Sequence, residues 1–228
     1  MTGAGRSIGL GGGIQISPTT KTRFRASIVA IAPAVLLIGF VYHPYIASPT
    51  DEAALAAAAA SDTTRWGLAH LAIGVGYGLA VIAFIAIRSE LREAGEERWS
   101  PLALPLIVLG SMLFVILTGM EFALLAAAET GGDVQAVQTA LVPWFIPILL
   151  TGGVSFALGA FGFAMGIARS EVLSPRLTWL VAGALVVMAV ARFIPLGAAS
   201  FVIATGGILA LWPLAFNMWK QPGVQPAR

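Results

Sequence analysis

Four ionisable side chains lie within apolar stretches of this sequence, and they are its clearest candidates for chemistry. They are Glu121, Arg192, His43 and His70. A charged side chain at the centre of a bilayer costs about 3 kcal/mol on insertion scales, so such residues are usually paired or functional. Because pairing lowers that cost, we predict that Glu121 contacts Arg192.

Together with nearby aromatic residues, these side chains form a predicted ligand-binding set. Its members are Glu121, Arg192, His70, His43, Trp66, Trp144 and Tyr77. Plainer structural roles stay open for each of them. Glu121 and Arg192 could form an ion pair that only fixes helix packing. His43 could be an interfacial residue, and His70 could donate a hydrogen bond between helices.

No cofactor or metal is assigned from the sequence. Two histidines could ligate haem axially, and His43, His70 and Met120 are plausible ligands for copper. Neither site has a supporting spacing motif. The chain has no cysteine, which excludes disulfides, thiolate metal sites and cysteine nucleophiles. It also lacks a catalytic dyad or a phosphate-binding loop, so an enzyme is the weaker expectation.

The composition places most of the chain in lipid. Hydrophobic residues make up 58% of it and charged residues only 11%, whereas soluble domains carry about 25% charged residues. The formal net charge of +2 is spread over short loops, which argues against nucleic acid as a partner. The bilayer is the expected surrounding, with an amphiphilic small molecule, a membrane-protein partner or a second copy as further candidates.

Six segments are apolar for about 20 residues, the length that a membrane helix needs. They run at 26–46, 66–87, 102–127, 141–168, 177–197 and 199–219. We therefore predict an all-α bundle of six transmembrane helices over residues 23–220. Residues 1–22, rich in glycine, serine and threonine, are predicted to be a disordered tail, and residues 221–228 a second tail.

The distribution of Lys and Arg predicts a bacterial inner-membrane protein with both tails in the cytoplasm. In this orientation eleven basic residues lie inside and two, Arg65 and Arg192, lie toward the outside. The first apolar run, 26–41, is longer than the 7–15 residues of a signal-peptide core. A retained signal-anchor is therefore preferred, and cleavage of the first helix stays open.

Several local features of the outer side follow from the same orientation. Ser48, Pro49 and Asp51 predict the start of a short surface helix that runs to residue 60. Ser61 and Asp62 predict a cap for the second span. Trp66, Trp144 and Tyr45 are predicted to lie in an outer aromatic belt, and Trp99, Trp179 and Trp219 in an inner one.

Two motifs recur and indicate three repeated hairpins. Arg-Ser-Glu occurs at 88–90 and 169–171, each time followed by Ser-Pro, and Thr-Gly-Gly occurs at 151–153 and 205–207. Chance similarity between apolar helices stays open as the alternative. Gly74 and Gly78 are four residues apart, so we expect both to let a neighbouring backbone approach closely.

Four short features carry a resemblance to a group of small polytopic proteins: His43-Pro44, Arg65-Trp66, His70 and Glu121. The chain resembles six-helix membrane proteins of unknown function from high-GC bacteria. The resemblance extends over the whole chain and implies the fold but no mechanism.

Three functions remain open at this point. The first is binding or transport of a small amphiphilic molecule in an outward-facing pocket near Glu121, Arg192 and His70. The second is a structural or accessory subunit with a filled core and a glycine-rich face for a partner. The third is an intramembrane lipid-modifying enzyme that uses Glu121 as acid or base, which requires that Arg192 does not pair with it.

Overall fold

The computed structural model of the protein describes residues 17–48 and 50–220, which form eight α-helices and no strand. The helices are α1 (Pro18–Tyr42), α2 (Glu52–Ser61), α3 (Thr63–Glu93), α4 (Ser100–Met120), α5 (Phe122–Thr130), α6 (Val134–Ser170), α7 (Pro175–Ala191) and α8 (Ala199–Lys220). The all-α prediction is confirmed. The predicted tail at 221–228 and most of that at 1–22 lie outside the described residues, and α1 begins before the predicted boundary at residue 23.

Five helical segments in the described ranges are long and apolar enough to cross a membrane. They are Thr19–Tyr42, Thr63–Glu93, Ser100–Thr130 (α4 with α5), Val134–Ser170 and Ala199–Lys220. The chain is therefore a helical membrane bundle. The predicted span at 177–197 is shorter in the structure, because α7 has 17 residues and ends at Ala191. Pro195 disfavours helical backbone at Ile194 and has no N–H to continue the helix.

The six longer helices form a closed ring in chain order. Each of α1, α3, α4, α6, α7 and α8 packs against its two neighbours in that order, and α8 packs against α1. At this closing seam the Trp212 indole N–H donates to the Ala30 carbonyl at 3.0 Å. The Arg23 guanidinium lies 5.7 Å from the centre of the Trp219 ring at the same seam.

Close packing within each consecutive hairpin depends on glycine. A Cβ at Gly39 would lie 2.7 Å from the Ile73 side chain, and one at Gly110 would lie 2.6 Å from the Phe156 nitrogen. Gly206 has a similar role against Met188, with a 3.2 Å approach. The expectation for Gly78 is wrong, since a Cβ there would meet no atom within 4 Å. A Cβ at Gly74 would lie 2.9 Å from the Thr118 hydroxyl, so the close neighbour there is a side chain and not the expected backbone.

Side chains that recur every seven residues fill the ring. On α3 this series is His70, Tyr77, Phe84 and Leu91, and on α4 it is Ser100, Ile107 and Phe114, continued by Glu121 at the end of the helix. Seven residues are about two helical turns, so each series stays on one face and descends in layers of about 10 Å. The α6 residues Phe156 and Phe163 complete the aromatic layers; the Phe163 ring centre lies 4.8 Å from that of Phe84.

A small helical cap covers one end of the ring. Helix α2 packs against α5 and the first turns of α6, and the shared apolar cluster includes Ala59, Leu124 and Val134. The predicted surface helix is confirmed, but its cap is Asp51, which accepts the Ala54 N–H at 3.0 Å, rather than Ser48. Pro49 lies outside the described residues. Asp62 caps α3, as predicted.

The opposite end carries ion pairs and a buried carboxylate. Arg25 on α1 contacts Glu93 on α3 at 3.0 Å. In the turn before α4, the Glu96 carboxylate accepts the backbone N–H groups of Arg98, Trp99 and Ser100. Burial by itself would raise the pKa of Glu96, but the donors of Ser100, Trp99 and Arg98 outweigh it and hold that pKa below its usual value of 4.5.

Candidate functional site

The structure divides the predicted site residues between two depths of the ring. The histidine cluster consists of His43, Trp66, His70 and Glu121. The Arg192 cluster consists of Tyr77, Phe114, Phe156 and Arg192. Because Tyr77 follows His70 by seven residues on α3, and Phe114 precedes Glu121 by seven on α4, the clusters lie about 10 Å apart along the ring axis.

In the histidine cluster three aromatic rings pack on one another. The His43 ring centre lies 5.1 Å from that of Trp66 and 4.9 Å from that of His70, and Trp66 lies 4.5 Å from His70. The Nδ1 atoms of His70 and His43 lie within 2.8 Å of carbonyl oxygens, those of Trp66 and Pro44. A carbonyl only accepts, so Nδ1 carries a hydrogen on each ring, and each neutral imidazole keeps Nε2 as an acceptor.

Glu121 occupies a break in a long helix. It is the C-cap residue of α4 and also the N-cap residue of α5, and its backbone angles are right-handed helical. Its main-chain carbonyl accepts the Trp66 indole N–H at 3.2 Å. The Glu121 side chain is buried, and its Oε2 atom has no hydrogen-bond partner. The residue therefore anchors α3 through its backbone and keeps its carboxyl group available.

Arg192 projects from the end of α7 into the aromatic layers. Its Nη1 atom donates to the Tyr77 hydroxyl at 3.0 Å. The guanidinium carbon lies 3.9 Å from the centre of the Phe156 ring and 4.7 Å from that of Phe114. The Nε atom is buried and has no hydrogen-bond partner.

The predicted contact between Glu121 and Arg192 is wrong. Among the described residues, the ion pairs within 4.0 Å are Arg25–Glu93 and Arg88–Glu97, both at the opposite end of the ring from Glu121. The short α7 explains the difference. Side chains of a helix lean toward its N-terminus, so Arg192 points back along α7 toward Tyr77 and away from Glu121.

Arg192 is partly buried, and the faces of three aromatic rings offset part of the cost of placing its charge here. A desolvated cation–π contact contributes about 2 kcal/mol, while removing an ion from water costs several kcal/mol even after relaxation. The Tyr77 hydroxyl adds one charge-assisted hydrogen bond. No carboxylate of the described chain neutralises the guanidinium, so this part of the ring carries a net positive charge.

The two tryptophans of the predicted ligand set, Trp66 and Trp144, lie in different surroundings. Trp66 is only 1% exposed, so its assignment to the outer belt is wrong, because its ring packs against the two histidines inside the bundle. Trp144 is 71% exposed and joins neither cluster, which fits the predicted belt but not the predicted ligand set. Phe114 and Phe156 were not predicted. The seven-residue spacing from Glu121 back to Phe114 is a signal that could have identified Phe114.

Two cavities have different surroundings. The larger is a groove of about 570 Å³ on the flank of the ring between α7 and α8, and its lining includes Trp179, Gly183, Val187, Phe201, Thr205 and Leu209. The smaller lies inside the ring, has about 20 Å³ of free volume, and its lining includes Leu36, Phe84, Phe156, Met188, Arg192 and Gly207. Neither is lined by Glu121 or His70, so these two residues and Arg192 do not share either cavity.

Within residues 17–48 and 50–220, no group of three or more His, Asp or Glu side chains is arranged to hold a metal ion. In comparisons with known proteins, no family model, curated protein or solved structure matches the chain.

Proposed function

We propose that this chain is an inner-membrane protein that binds an amphiphile, whose apolar chain lies in the groove between α7 and α8. The groove is the observation that carries the proposal. Its volume of about 570 Å³ falls within the 300–1,000 Å³ that is usual for small-molecule sites. It opens on the flank of the ring, so its ligand enters from the bilayer and not from the outer mouth expected from the sequence.

The dimensions of the groove favour a hydrocarbon chain over a partner helix. Along the α7 wall, Val187 lies eight residues after Trp179, or about 12 Å along the helix. A partner helix that crossed the bilayer would run alongside for about 30 Å. Thr205 is the one hydroxyl-bearing residue in the lining, so affinity would come from buried apolar area.

The inner end of the groove suits an anionic headgroup. Trp179 is 72% exposed there, so its indole N–H is free to face the membrane interface. Arg176 precedes it by three residues, close to one helical turn, and is also exposed. A guanidinium and an indole N–H together would bind a phosphate or carboxylate headgroup while the chain extends toward Val187.

The orientation is part of the same proposal. The excess of Lys and Arg at the start of α1, around the turn between α3 and α4 and around the turn between α6 and α7 supports a cytoplasmic location for both tails. The end of the ring with Glu96 would then face the cytoplasm, and the α2–α5 cap would face outward. Arg176 would lie at the cytoplasmic interface, where anionic lipid headgroups attract basic residues.

Native mass spectrometry of the detergent-purified protein, titrated with phosphatidylglycerol or phosphatidylcholine, tests the proposal. Gly183 has no atom within 4 Å of a Cβ position, so Gly183→Leu fills the groove without a backbone clash. Gly78→Leu is the matched control, since that glycine is equally open and lies outside the groove. We expect Gly183→Leu to lose the bound lipid and Arg176→Gln to lose the preference for phosphatidylglycerol. Equal lipid retention by the two leucine variants would refute the proposal.

A second candidate function, that of an accessory subunit, is supported by the surface glycines. Gly78 and Gly119 are exposed and have free space around them, and small residues of this kind let transmembrane helices associate closely. Cross-linking in native membranes tests it. A partner, or a second copy, that is captured with wild-type protein and lost with Gly78→Leu but retained with Gly183→Leu would support this role.

The enzyme hypothesis has one observation in its favour, since Glu121 is free of Arg192 and therefore available as an acid or base. A reaction also needs space for a substrate at that carboxyl group, and Glu121 lines neither described cavity. Retention of a lipid-modifying activity by Glu121→Gln would exclude that role for the residue.

A further inference from the structure

We propose that the seam between α4 and α6 binds the phosphate headgroup of an anionic phospholipid at its basic end. The Trp99 site, as we call it, consists of Arg98, Trp99 and Arg169 and of an exposed apolar flank formed by Leu102, Phe161 and Met165. It lies on a different pair of helices from the groove between α7 and α8, so it does not depend on the amphiphile proposal.

Two arginine side chains from distant parts of the sequence meet at one indole ring. The guanidinium carbon of Arg98 lies 5.2 Å from the centre of the Trp99 ring, and that of Arg169 lies 5.3 Å from it. Arg98 belongs to the turn before α4, and Arg169 to the last turn of α6. The indole N–H is enclosed and has no acceptor in the described chain, so the ring attracts the two cations through its π system.

The described chain does not neutralise either guanidinium. Arg98 and Arg169 are both exposed, and the ion pairs among the described residues involve other arginines. Of the neighbouring carboxylates, Glu97 pairs with Arg88, and Glu96 accepts backbone N–H groups of the turn. Two like charges therefore share one ring, and a phosphate that contacted both would offset their repulsion and accept their N–H groups.

An exposed apolar surface continues from the arginines into the membrane. A Cβ at Gly162 of α6 would lie 2.6 Å from the Cβ of Ala103 on α4, so the two helices are in close contact there. Phe161 and Leu102 each precede one of these residues by one position, and in antiparallel helices such neighbours lie on the same side of the contact. Both are exposed, as is Met165, one turn before the α6 arginine. Acyl chains packed along this flank would place a phosphate at the Trp99 site.

The position of the site favours a lipid headgroup over a soluble phosphate. Trp99 is the N-cap residue of α4, and Arg169 lies in the last turn of α6. Both residues are thus at the ends of membrane-crossing segments, where tryptophan side chains and lipid headgroups meet. An open pair of arginines gives a free phosphate little enclosure, whereas a lipid gains additional affinity from the apolar area that it covers on the flank.

Native mass spectrometry of the full chain in detergent, titrated with phosphatidylglycerol or phosphatidylcholine, tests the site in Gly183→Leu protein. That substitution fills the groove between α7 and α8, so the remaining headgroup preference reports binding elsewhere. We expect one phosphatidylglycerol to bind more tightly than phosphatidylcholine. Arg98→Gln and Arg169→Gln should each weaken its affinity about fivefold, the usual effect of one basic residue beside anionic lipid, and the double variant should lose the preference.

Two control variants separate the Trp99 site from other basic residues. Arg92→Gln removes an exposed arginine of α3 at the same end of the ring, and Arg176→Gln removes the headgroup residue proposed for the groove. Both should leave this phosphatidylglycerol affinity unchanged. Whether Gly183→Leu by itself alters lipid binding bears only on the amphiphile proposal.

Three outcomes would refute the lipid site. One is unchanged phosphatidylglycerol affinity in Arg98→Gln and Arg169→Gln protein whose circular dichroism shows it to be folded. Another is a loss in Arg92→Gln as large as that in Arg169→Gln, which would show diffuse surface charge only. The third is displacement of the lipid by excess inorganic phosphate at constant ionic strength, which would indicate a site for a soluble anion.

Discussion

The indole N–H of Trp66 donates a 3.2 Å hydrogen bond to the main-chain carbonyl of Glu121. This bond joins α3 to the break between α4 and α5, and the same indole packs against His43 and His70. One buried tryptophan thus connects the end of α1, the start of α3 and the break between α4 and α5 beneath the cap formed by α2 and α5.

Replacing Trp66 by phenylalanine should destabilise the protein measurably. The variant keeps an aromatic ring but leaves the Glu121 carbonyl without its indole donor, a loss of about 1–3 kcal/mol for a buried hydrogen bond. Unfolding in detergent measures the change in the free energy of unfolding. Far-ultraviolet circular dichroism is the readout, because it follows helix content and not tryptophan fluorescence. Trp144→Phe is the control, because that side chain is 71% exposed, and equal stability of the two variants would contradict the assigned role of Trp66.

The contact between α4 and α6 should not tolerate a methyl group at Gly110. A Cβ there would lie 2.6 Å from the backbone nitrogen of Phe156, which cannot move like a flexible side chain. Gly110→Ala should therefore cost about 1–3 kcal/mol or more from overpacking. Gly183→Ala meets nothing within 4 Å and should be neutral or slightly stabilising. Thermal unfolding of both variants in the same detergent compares their stabilities with that of wild type. A loss at Gly110→Ala no larger than that at Gly183→Ala would contradict the role of Gly110.

From the hydrogen-bonded carboxylate of Glu96 we predict that the stability of the folded protein falls at acid pH. Its pKa is lowered in the folded protein by the donors of Ser100, Trp99 and Arg98, despite burial. The stabilisation is therefore complete at neutral pH and is lost as the pH falls below about 4.5 toward the lowered folded value. In chemical unfolding from pH 6 to pH 3, the advantage of wild type over Glu96→Gln should shrink as the pH falls below about 4.5. A constant difference over that range would contradict the assignment.

The proposed orientation predicts which loops are accessible from outside the cell. The sequence contains no cysteine, so Ala94→Cys and Glu129→Cys each give one label site, and both positions are exposed. A membrane-impermeant maleimide should label Glu129→Cys in intact bacterial cells and label Ala94→Cys only after the membrane is opened. Labelling in the reverse order would overturn the orientation and, with it, the cytoplasmic placement of Arg176.

The fold was largely predictable because lipid imposes a simple rule on sequence. Long apolar segments must form helices to satisfy their backbone groups, so the bundle followed from composition and segment length. The end of α7 was not predicted correctly. Hydropathy continues through Phe193 and Ile194, and only the local effect of Pro195 on the backbone ends the helix earlier.

The candidate site was predictable as a set of residues but not as a geometry. Rarity of charge within apolar segments identified Glu121 and Arg192, whereas their separation depends on the length of α7 and the direction of the Arg192 side chain. No sequence pattern predicted the groove between α7 and α8. It arises where Gly183 lacks a side chain between larger neighbours on two helices, and that arrangement depends on how the two helices pack in space.

The seam between α1 and α8 has a consequence for biosynthesis. A contact such as the one from Trp212 to Ala30 joins residues 182 positions apart, so the ring cannot close until the last helix has left the ribosome and entered the bilayer. Until then α1 presents one flank, and the interior aromatic residues behind it, to lipid or to insertion factors. The nascent chain would spend most of its synthesis as an open crescent.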